Sequence, residues 1–290
     1  MILVTGATGQ LGKATIDFLL KKIGANQIAA LARDPKKAEE LKQRGIDVRI
    51  GDYKDYALLV KAFKGIEKLL LISSNDLVDR TSQHLNAVRA AKETGVKHVV
   101  YTSFQRKTNG PAGLAFLLQS HLETEKALAE SGTKYTFFKN GYYLDMVPDL
   151  IGRNVLQMGT IFFPAGNGKV NFVLRRDIAE GLAHVLTTSG HENKAYEIGS
   201  DTTYSFADIA AILNELTGKK IQYVSPPLEA FKQELAKHSV PPVFIEMLAN
   251  FGQFFADGGM DVPDPTLGSL LGRKPTGMKE FLKSIYLNHQ

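Results

Sequence analysis

The chain has 290 residues, 44% of them hydrophobic, which is enough for one large domain or for one domain with a smaller appended lobe. It contains no cysteine, which excludes disulfides, thiolate catalysis and cysteine-ligated metal sites and suits a cytoplasmic location. The net charge of +5 is spread along the chain and favours a small anionic ligand over nucleic acid. We see no apolar run that could span a membrane and no charged signal sequence.

The start of the chain carries the most informative motif. An apolar stretch, Met1–Leu3, leads into glycines at positions 6, 9 and 12, and an amphipathic segment follows over 13–22. This order predicts a strand, a tight turn and a helix. The three glycines would let the backbone approach a pyrophosphate, which the free N–H groups of the helix N-terminus then bind. The alternative is a tight strand-to-helix turn without a ligand.

Strand and helix patterns alternate from this motif to about residue 140. Strands are predicted over 2–5, 27–32, 47–50, 68–73, 98–102 and 135–138. Helices are predicted over 10–22, 35–44, 56–63, 77–94 and 115–131. Repeated strand–helix units predict an α/β fold, a Rossmann-type doubly wound parallel sheet.

The alternation loosens in the second half of the chain. Pieces of strand are predicted at 160–163, 195–198 and 221–224, and helices at 176–187, 206–217, 228–237 and 243–255. We interpret residues 1–150 as a nucleotide-binding domain and residues 151–290 as a smaller α+β substrate lobe, with some segments returning to the main domain. The substrate is expected in the cleft between them, outside the carboxyl ends of the strands.

The end of the second strand indicates which dinucleotide binds. A carboxylate here would bind the ribose 2′-hydroxyl of NAD, but the chain has Arg33, followed by Asp34 and Pro35. A guanidinium binds a 2′-phosphate bidentately, so we favour NADP(H), with Lys36 or Lys37 assisting. Asp34 could cap the next helix. The alternative for Arg33 is a surface cation that pairs with Asp34.

Two further turns are candidates for cofactor contacts. Asp52 follows the third strand, where it could meet the adenine or cap the helix that starts near residue 55. Ser73, Ser74 and Asn75 follow the central strand and would line the channel for ribose and pyrophosphate. The alternative for these three residues is a turn that uses small polar side chains.

The usual acid/base motif of short-chain dehydrogenases is missing. These enzymes use a serine after the fifth strand and then Tyr-x-x-x-Lys on the next helix, where the tyrosine is the acid. Ser103 is available, but Leu122 stands four residues before Lys126 in place of the tyrosine. The absence argues against alcohol dehydrogenation, epimerisation and dehydration.

Several stretches together carry a family resemblance over essentially the whole chain. They are VTGATGQLG (4–12), Arg33-Asp34-Pro35, Gly51-Asp52-Tyr53, EKLLLISS (67–74), AAKETGVKHVVYTS (90–103), HLETEKALAESGTKYTFFKNGYY (121–143) and GHENKAYEIGS (190–200). With them the chain resembles the NmrA-like atypical short-chain dehydrogenases/reductases, and among these the bacterial NADPH-dependent quinone oxidoreductases and triphenylmethane reductases.

The resemblance implies a set of site residues. The cofactor contacts that it implies are Gly6, Thr8, Gly9, Gln10, Leu11, Gly12, Arg33, Ser73, Ser74, Asn75, Lys139, Asn140, Gly141, Tyr142, Tyr143 and Arg175. It implies catalytic roles for His121, which would close over the nicotinamide or bond the acceptor, and for Asn140 and Tyr142, which would shape the nicotinamide pocket. Phe104 and Tyr143 would contact the substrate. The alternative for His121 is a structural role, which is more common for a lone histidine on a helix, and the aromatic residues here could equally be part of the core.

The implied activity is hydride transfer from NADPH to a quinone or another planar electrophile, such as a dye or azo compound, without flavin or metal. A quinone needs no positioned strong acid, so proximity and orientation would suffice. The alternative is a non-catalytic NADP(H)-binding redox sensor of the NmrA type, which binds a regulatory protein. The sequence is compatible with a homodimer and with a monomer, and does not identify the physiological acceptor.

Overall fold

The computed structural model describes residues 1–287. Its strands are β1 (Ile2–Val4), β2 (Ile28–Ala32), β3 (Asp47–Ile50), β4 (Lys68–Leu71), β5 (His98–Phe104), β6 (Lys134–Asn140), β7 (Tyr142–Tyr143), β8 (Thr160–Phe162), β9 (Phe172–Val173), β10 (Lys194–Ile198) and β11 (Gln222–Val224).

Its helices are α1 (Gln10–Leu19), α2 (Glu39–Gln43), α3 (Tyr56–Phe63), α4 (Arg80–Glu93), α5 (Ala115–Glu130), α6 (Val147–Ile151), α7 (Val155–Met158), α8 (Arg175–Thr187), α9 (Phe206–Thr217), α10 (Leu228–Lys237), α11 (Pro242–Ala256), α12 (Thr266–Leu271) and α13 (Met278–Tyr286). The sequence patterns did not predict α6, α7, α12, α13, β7 or β9, which are all short except α13.

The main sheet has seven strands in the order β10-β6-β5-β4-β1-β2-β3, and the ladders from β6 to β3 are parallel. Its central strands are buried, since Leu3, Leu69, Leu70 and Leu71 are all inaccessible to solvent. Continuous apolar strands are what a parallel sheet with both faces covered requires. The predicted Rossmann-type sheet is confirmed.

The strand order reverses at β1, which has β2 on one side and β4 on the other. The chain therefore leaves the carboxyl ends of these two neighbours in opposite directions. Ligands of open α/β sheets bind in the crevice at such a switch point. The glycine-rich turn after β1 lies at this point of the sheet.

The chain forms two compact units. The first unit comprises residues 1–104, 119–140 and 175–197, and the second comprises 105–118, 141–174 and the chain from 198 onward. The sequence predicted a boundary near residue 150 with some later segments returning to the main domain, and in the structure the chain passes between the two units five times. The strand predicted within the lobe at 195–198 is β10, at the edge of the main sheet.

The second unit has small sheets and an aromatic core. Its strands form two parallel pairs, β8 with β11 and β7 with β9. The ring of Phe163 stacks on that of Phe206 with centroids 4.6 Å apart. Within residues 1–287, no helix is long and apolar enough to cross a membrane, and no group of three or more His, Asp and Glu residues is placed to hold a metal ion.

Candidate active site

The turn between β1 and α1 is closed tightly by its glycines. Gly6 has φ of +58°, a conformation that side chains rarely adopt. A Cβ at Gly12 would lie 2.3 Å from the carbonyl oxygen of Gly6, so the first turn of the helix packs directly on the backbone of the turn. A Cβ at Gly9 would lie 3.3 Å from the same oxygen. Steric constraints therefore require or favour glycine at all three positions, whether or not a ligand binds.

The same turn offers an open helix N-terminus. Gly9 is the N-cap of the ten-residue helix α1, and no side chain caps it. Gly6, Gly9 and Gln10 are exposed, Thr8 is half-buried, and Leu11 is buried beneath the turn. Exposed backbone N–H groups without a side-chain cap, together with the positive end of the helix dipole, fit the negative charge of a pyrophosphate.

The end of β2 separates the roles of Arg33 and Asp34. The carboxylate of Asp34 accepts a hydrogen bond from the backbone N–H of Lys36 at 2.9 Å and caps the short 3₁₀ helix Pro35–Ala38. The side chain of Arg33 is exposed. Asp34 therefore has the capping role that the sequence left open, and Arg33 presents its guanidinium to solvent at the carboxyl edge of the sheet.

The cap of α3 belongs to Asp55 rather than to Asp52. The Asp55 carboxylate accepts the backbone N–H of Leu58 at 2.9 Å, which is the N-cap geometry of this helix. Asp52 accepts the N–H of Lys54 at 3.0 Å within the preceding turn. One of its two candidate roles is thus removed, and its contact with adenine stays a prediction.

A buried hydroxyl pair joins the ends of β1 and β4. Thr5 donates to the carbonyl of Leu70 at 2.9 Å and accepts the N–H of Ile72 at 2.9 Å. The Tyr53 hydroxyl reaches both Thr5 and the carbonyl of Ile72. Burial raises the pKa of Tyr53, and the hydrogen bond between Tyr53 and Thr5 and the charges of Arg33 and Arg80 oppose that rise. Tyr53 therefore stays a neutral phenol that supports the turn.

Ser74, in the turn after β4, is held by three side chains of α4. Its N–H donates to His84 Nε2 at 2.8 Å, its hydroxyl donates to Gln83 Oε1 at 2.8 Å, and its carbonyl accepts from Arg80. The neighbouring Ser73 donates its N–H to the Thr102 hydroxyl at 2.8 Å. The polar groups of Ser74 thus fix the turn, and direct cofactor contact by this residue stays a prediction.

His121 lies in a buried polar cluster. Its Nε2 faces Arg80 Nη2 at 2.9 Å, and its Nδ1 faces the Tyr101 hydroxyl at 2.8 Å. A guanidinium only donates, so Nε2 accepts and the proton of the ring is on Nδ1. The residue is 2% exposed, and its ring stacks on Phe104 with centroids 6.0 Å apart and planes 21° apart.

This placement changes the expected role of His121. Both ring nitrogens face protein atoms, so the hydrogen bond to an acceptor that the sequence suggested is not the contact that the ring makes here. Phe104, which is partly exposed, covers one face of the ring. A catalytic role for His121 stays a prediction, and the contacts favour support of Phe104.

His84 is a second buried histidine of the cluster. Because its Nε2 accepts the Ser74 N–H, its Nδ1 carries the proton and faces the Thr124 hydroxyl at 3.0 Å. Burial, helped by the charge of Arg80, lowers the pKa of His84 to about 3. Burial also raises the pKa of Tyr101. The ring of His84 is therefore neutral over the physiological pH range.

Asn140 ends β6 beside Phe104, its partner in the ladder with β5. It is 2% exposed, and within residues 1–287 neither its amide nitrogen nor its amide oxygen has a hydrogen-bond partner. A buried amide without a partner costs about 1–3 kcal/mol, so a bound group that pairs with it would relieve a real penalty. The adjacent Lys139 pairs with Glu197 at 3.6 Å.

Four expected residues lie in the second unit or at the start of α8. The Tyr142 ring is 5% exposed and makes edge-to-face contacts with Phe172, Phe251 and Phe255, so it is part of an aromatic core, and its role in shaping the nicotinamide pocket stays a prediction. Gly141 donates its N–H to the carbonyl of Ile198 at 2.7 Å. Tyr143 and Arg175 are both half-buried, and their contacts with a cofactor stay predictions.

The residues that sequence reasoning missed are those of the buried cluster. Arg80, Gln83 and His84 stand at i, i+3 and i+4 of α4, which places them on one helix face. All three are buried. Polar residues at helical spacing directly after the SSN turn were a usable signal, because polar groups on a buried helix face need partners.

Comparisons with known proteins agree with this architecture. Residues 1–282 match the sequence profile of the NmrA-like family. The chain is 39% identical to quinone oxidoreductase 2 of Escherichia coli (strain K12), covering 99% of each chain. It is 29% identical to the NAD(P)H azoreductase of Xenophilus azovorans, covering 98% of this chain and 97% of the azoreductase.

Two solved structures are similar in fold and in sequence. The crystal structure of the E. coli NADPH-dependent quinone oxidoreductase with NADPH superposes with a TM-score of 0.93 at 38% identity, covering 99% of this chain and all of that one. The triphenylmethane reductase of Citrobacter sp. with NADP(H) gives a TM-score of 0.92 at 38% identity, covering 98% of this chain and all of that one.

Proposed function

The chain belongs to the NmrA-like family, and we propose that it is an NADPH-dependent oxidoreductase that reduces quinones and other planar electrophiles. The observation that carries the proposal is the end of β2, where the Asp34 carboxylate caps a helix and the Arg33 guanidinium is exposed. A full-length relative at 39% identity is named a quinone oxidoreductase, and a similar solved structure holds NADPH.

The residues of the first unit fit the cofactor. The uncapped N-terminus of α1 and the exposed backbone at Gly6 and Gly9 would hold the pyrophosphate. Arg33 would hold the 2′-phosphate, since a guanidinium matches phosphate geometry with two hydrogen bonds. Ser73 and the exposed Asn75 would face the ribose, and the buried amide of Asn140 would pair with a polar group of the nicotinamide.

The groups of the usual acid/base triad are absent or engaged elsewhere. Leu122 is in the tyrosine position, and Lys126 is 73% exposed and lies 3.9 Å from Glu130. The Ser103 hydroxyl donates to Glu125. No side chain in these positions is placed to protonate an alkoxide, so the site favours acceptors whose reduced form is a stable, delocalised anion.

Quinones and conjugated dyes are acceptors of this kind. When bound, NADPH supplies the hydride. The protein contributes orientation, for which the partly exposed Phe104 ring, supported by His121, offers a flat apolar surface. Azo compounds and triphenylmethane dyes share the planar, electron-poor character, and we include them in the proposed range. The cytoplasmic location and the oligomeric state stay predictions.

Steady-state oxidation of NADPH, and separately of NADH, tests the proposal. The purified protein is assayed with small quinones, an azo dye and a triphenylmethane dye, without added flavin. We expect turnover with NADPH preferred over NADH. Tight NADPH binding without oxidation by any of these acceptors would reject the enzyme proposal in favour of an NADP(H)-binding regulatory protein.

A further inference from the structure

We propose that Arg80 is a positioning residue that couples the turn after β4 to the ring of Phe104 through His121. Nothing in the family resemblance or in the expected site pointed to Arg80. The inference rests on the proposed function, because it assigns the cofactor to the Ser73–Asn75 side of this cluster and the acceptor to the Phe104 side.

The two ends of the Arg80 guanidinium hold two different elements. Nη1 donates to the carbonyl of Ser74 in the turn, and Nη2 donates to His121 Nε2 on α5 at 2.9 Å. The side chain is buried, with 8% exposed. A planar guanidinium fixes the directions of its N–H groups, so the positions of the two acceptors are linked through one rigid group.

On the cofactor side, the hydrogen bonds of Ser74 tie the turn after β4 to Arg80, so the two move together. The Ser74 N–H and hydroxyl are bound by His84 and Gln83, and Arg80 holds the remaining polar group, the carbonyl. All three ligating side chains belong to the first five residues of α4. Loss of the Arg80 contact would let the peptide plane after Ser74 rotate, and with it Asn75.

On the acceptor side, His121 transmits the contact to Phe104. The Arg80 and Tyr101 hydrogen bonds occupy opposite sides of the imidazole and define the plane of the ring. Phe104 stacks on this ring at 21°. Rotation of His121 would break both hydrogen bonds and tilt the surface on which a planar acceptor lies.

The proposed chemistry is sensitive to such a movement. Without a positioned acid, the rate depends on how well donor and acceptor planes are held together, and a displacement of about 1 Å can cost about a hundredfold in rate. A residue that links the turn after β4 to the Phe104 ring therefore affects kcat as well as substrate binding. A residue that only stabilises the fold would instead lower the amount of active protein.

Kinetics of matched variants separate these cases. Arg80→Met removes both hydrogen bonds, Arg80→Lys keeps the charge, and His121→Gln keeps an acceptor for Arg80 but removes the ring beneath Phe104. Arg89→Met is the control, because Arg89 is on the same helix and stacks on the Tyr56 ring at 4.8 Å, away from the cluster. All are assayed as the full-length protein with NADPH and menadione.

We expect Arg80→Met to lower kcat about tenfold or more and to raise the KM for both substrates, with partial recovery in Arg80→Lys. His121→Gln is expected to raise the KM for menadione about fivefold and to change the KM for NADPH less than about twofold. Arg89→Met should match the parent protein. An Arg80→Met variant that folds and keeps both KM values and kcat overturns the inference.

A second readout does not depend on turnover. In ¹⁵N-histidine NMR spectra, with His121 assigned from the peak lost in His121→Gln, NADPH should shift the His121 Nε2 resonance in the parent protein and in Arg89→Met. It should leave the resonance in place in Arg80→Met at saturating NADPH, and a shift of equal size there would contradict the coupling. If the parent protein shows the NMR shift but reduces no acceptor, the proposed function fails while the coupling stands.

Discussion

The carboxyl edge of the main sheet has two unlike parts. At β1 and β2 the site is made of the backbone of one short turn and one exposed side chain, Arg33. At β4 and β5 it is made of buried side chains from four elements, joined by hydrogen bonds that span up to 41 residues. The first part can be predicted from short segments of the sequence, whereas the second consists of tertiary contacts that form only when the chain folds.

The two parts also differ in what a ligand would change. The turn after β1 is preformed by steric contact among glycines, so a bound phosphate would find its N–H groups already presented. The β4–β5 part is preformed by charge and hydrogen bonds, with two neutral histidines next to a buried guanidinium. Variants of each part should therefore fail in different ways.

Gly12→Ala should have the largest effect. The added Cβ would lie 2.3 Å from the Gly6 carbonyl oxygen and 2.8 Å from Ala7 Cα, both backbone atoms that cannot move without displacing α1 from the sheet. We expect a loss of about 3–5 kcal/mol in the free energy of unfolding, or failure to fold. Urea unfolding followed by circular dichroism measures it.

The control for that variant is Gly277→Ala. Gly277 has φ of −80°, and a Cβ there would meet no atom within 4 Å. We expect its unfolding free energy to stay within about 1 kcal/mol of the parent value. Equal losses of unfolding free energy in the two variants would show that close packing of α1 on the turn does not explain the need for glycine at position 12.

The second largest effect is expected from acid, which should destabilise the β4–β5 part of the site. The pKa of His84 is lowered from 6.5 to about 3 in the folded state, so the unfolded state binds more protons between these values. The stability that the neutral ring provides is therefore full above pH 6.5 and is lost as the pH falls toward 3, by up to about 1.4 kcal/mol per pH unit. His98, with a pKa lowered to about 4 by burial, adds a slope of the same sign.

His84→Gln isolates the contribution of one ring. The amide oxygen of glutamine can accept the Ser74 N–H, but it does not titrate. Unfolding free energies measured from pH 7 to pH 4 should fall less steeply in this variant than in the parent protein. Parallel curves for His84→Gln and the parent would refute the assignment.

These cases show why sequence patterns predicted one part of the site better than the other. The glycine spacing and Arg33 lie within short segments whose local geometry follows from steric rules, and the alternation of apolar runs predicted the main sheet for the same reason. His121 was identified from the sequence. The helical spacing of Arg80, Gln83 and His84 marks a polar helix face, but it does not indicate that Arg80 pairs with His121, which lies 41 residues away in the chain. For Tyr142 the sequence left a pocket role and a core role open; its ring packs on Phe251 and Phe255, and a contact with the cofactor stays a prediction.

Arg33→Gln tests the proposed 2′-phosphate contact in the β1–β2 part of the site. Loss of a bidentate guanidinium–phosphate pair should weaken NADPH binding by about 1.5–3 kcal/mol, roughly 10- to 150-fold, and leave NADH binding unchanged. Lys42→Gln, at an exposed cation on α2, is the control and should leave NADPH affinity close to the parent value. Fluorescence titration of both cofactors measures the difference, and equal weakening of NADH and NADPH would remove the 2′-phosphate assignment.

Asp34→Asn should have the smallest effect. Asparagine is as good an N-cap as aspartate, so stability should change by less than about 0.5 kcal/mol, whereas Asp34→Ala should cost about 1 kcal/mol. Removal of the carboxylate beside Arg33 should tighten NADPH binding slightly, by about twofold at low salt. Thermal unfolding and titration of both variants check these values, and weaker NADPH binding in Asp34→Asn would indicate that the carboxylate contacts the cofactor.

The interleaving of the two units has a consequence for biosynthesis. The helix α8 packs on α1, where Arg176 lies over the Phe18 ring at 5.3 Å, and β10 completes the edge of the main sheet beside β6. Both elements leave the ribosome after residues 141–174, which belong to the other unit. The first unit therefore cannot complete its fold until residues 175–197 have been made, and a nascent chain of about 150 residues exposes the face of α1 that α8 later covers. This face is where we would look for a chaperone to bind during synthesis.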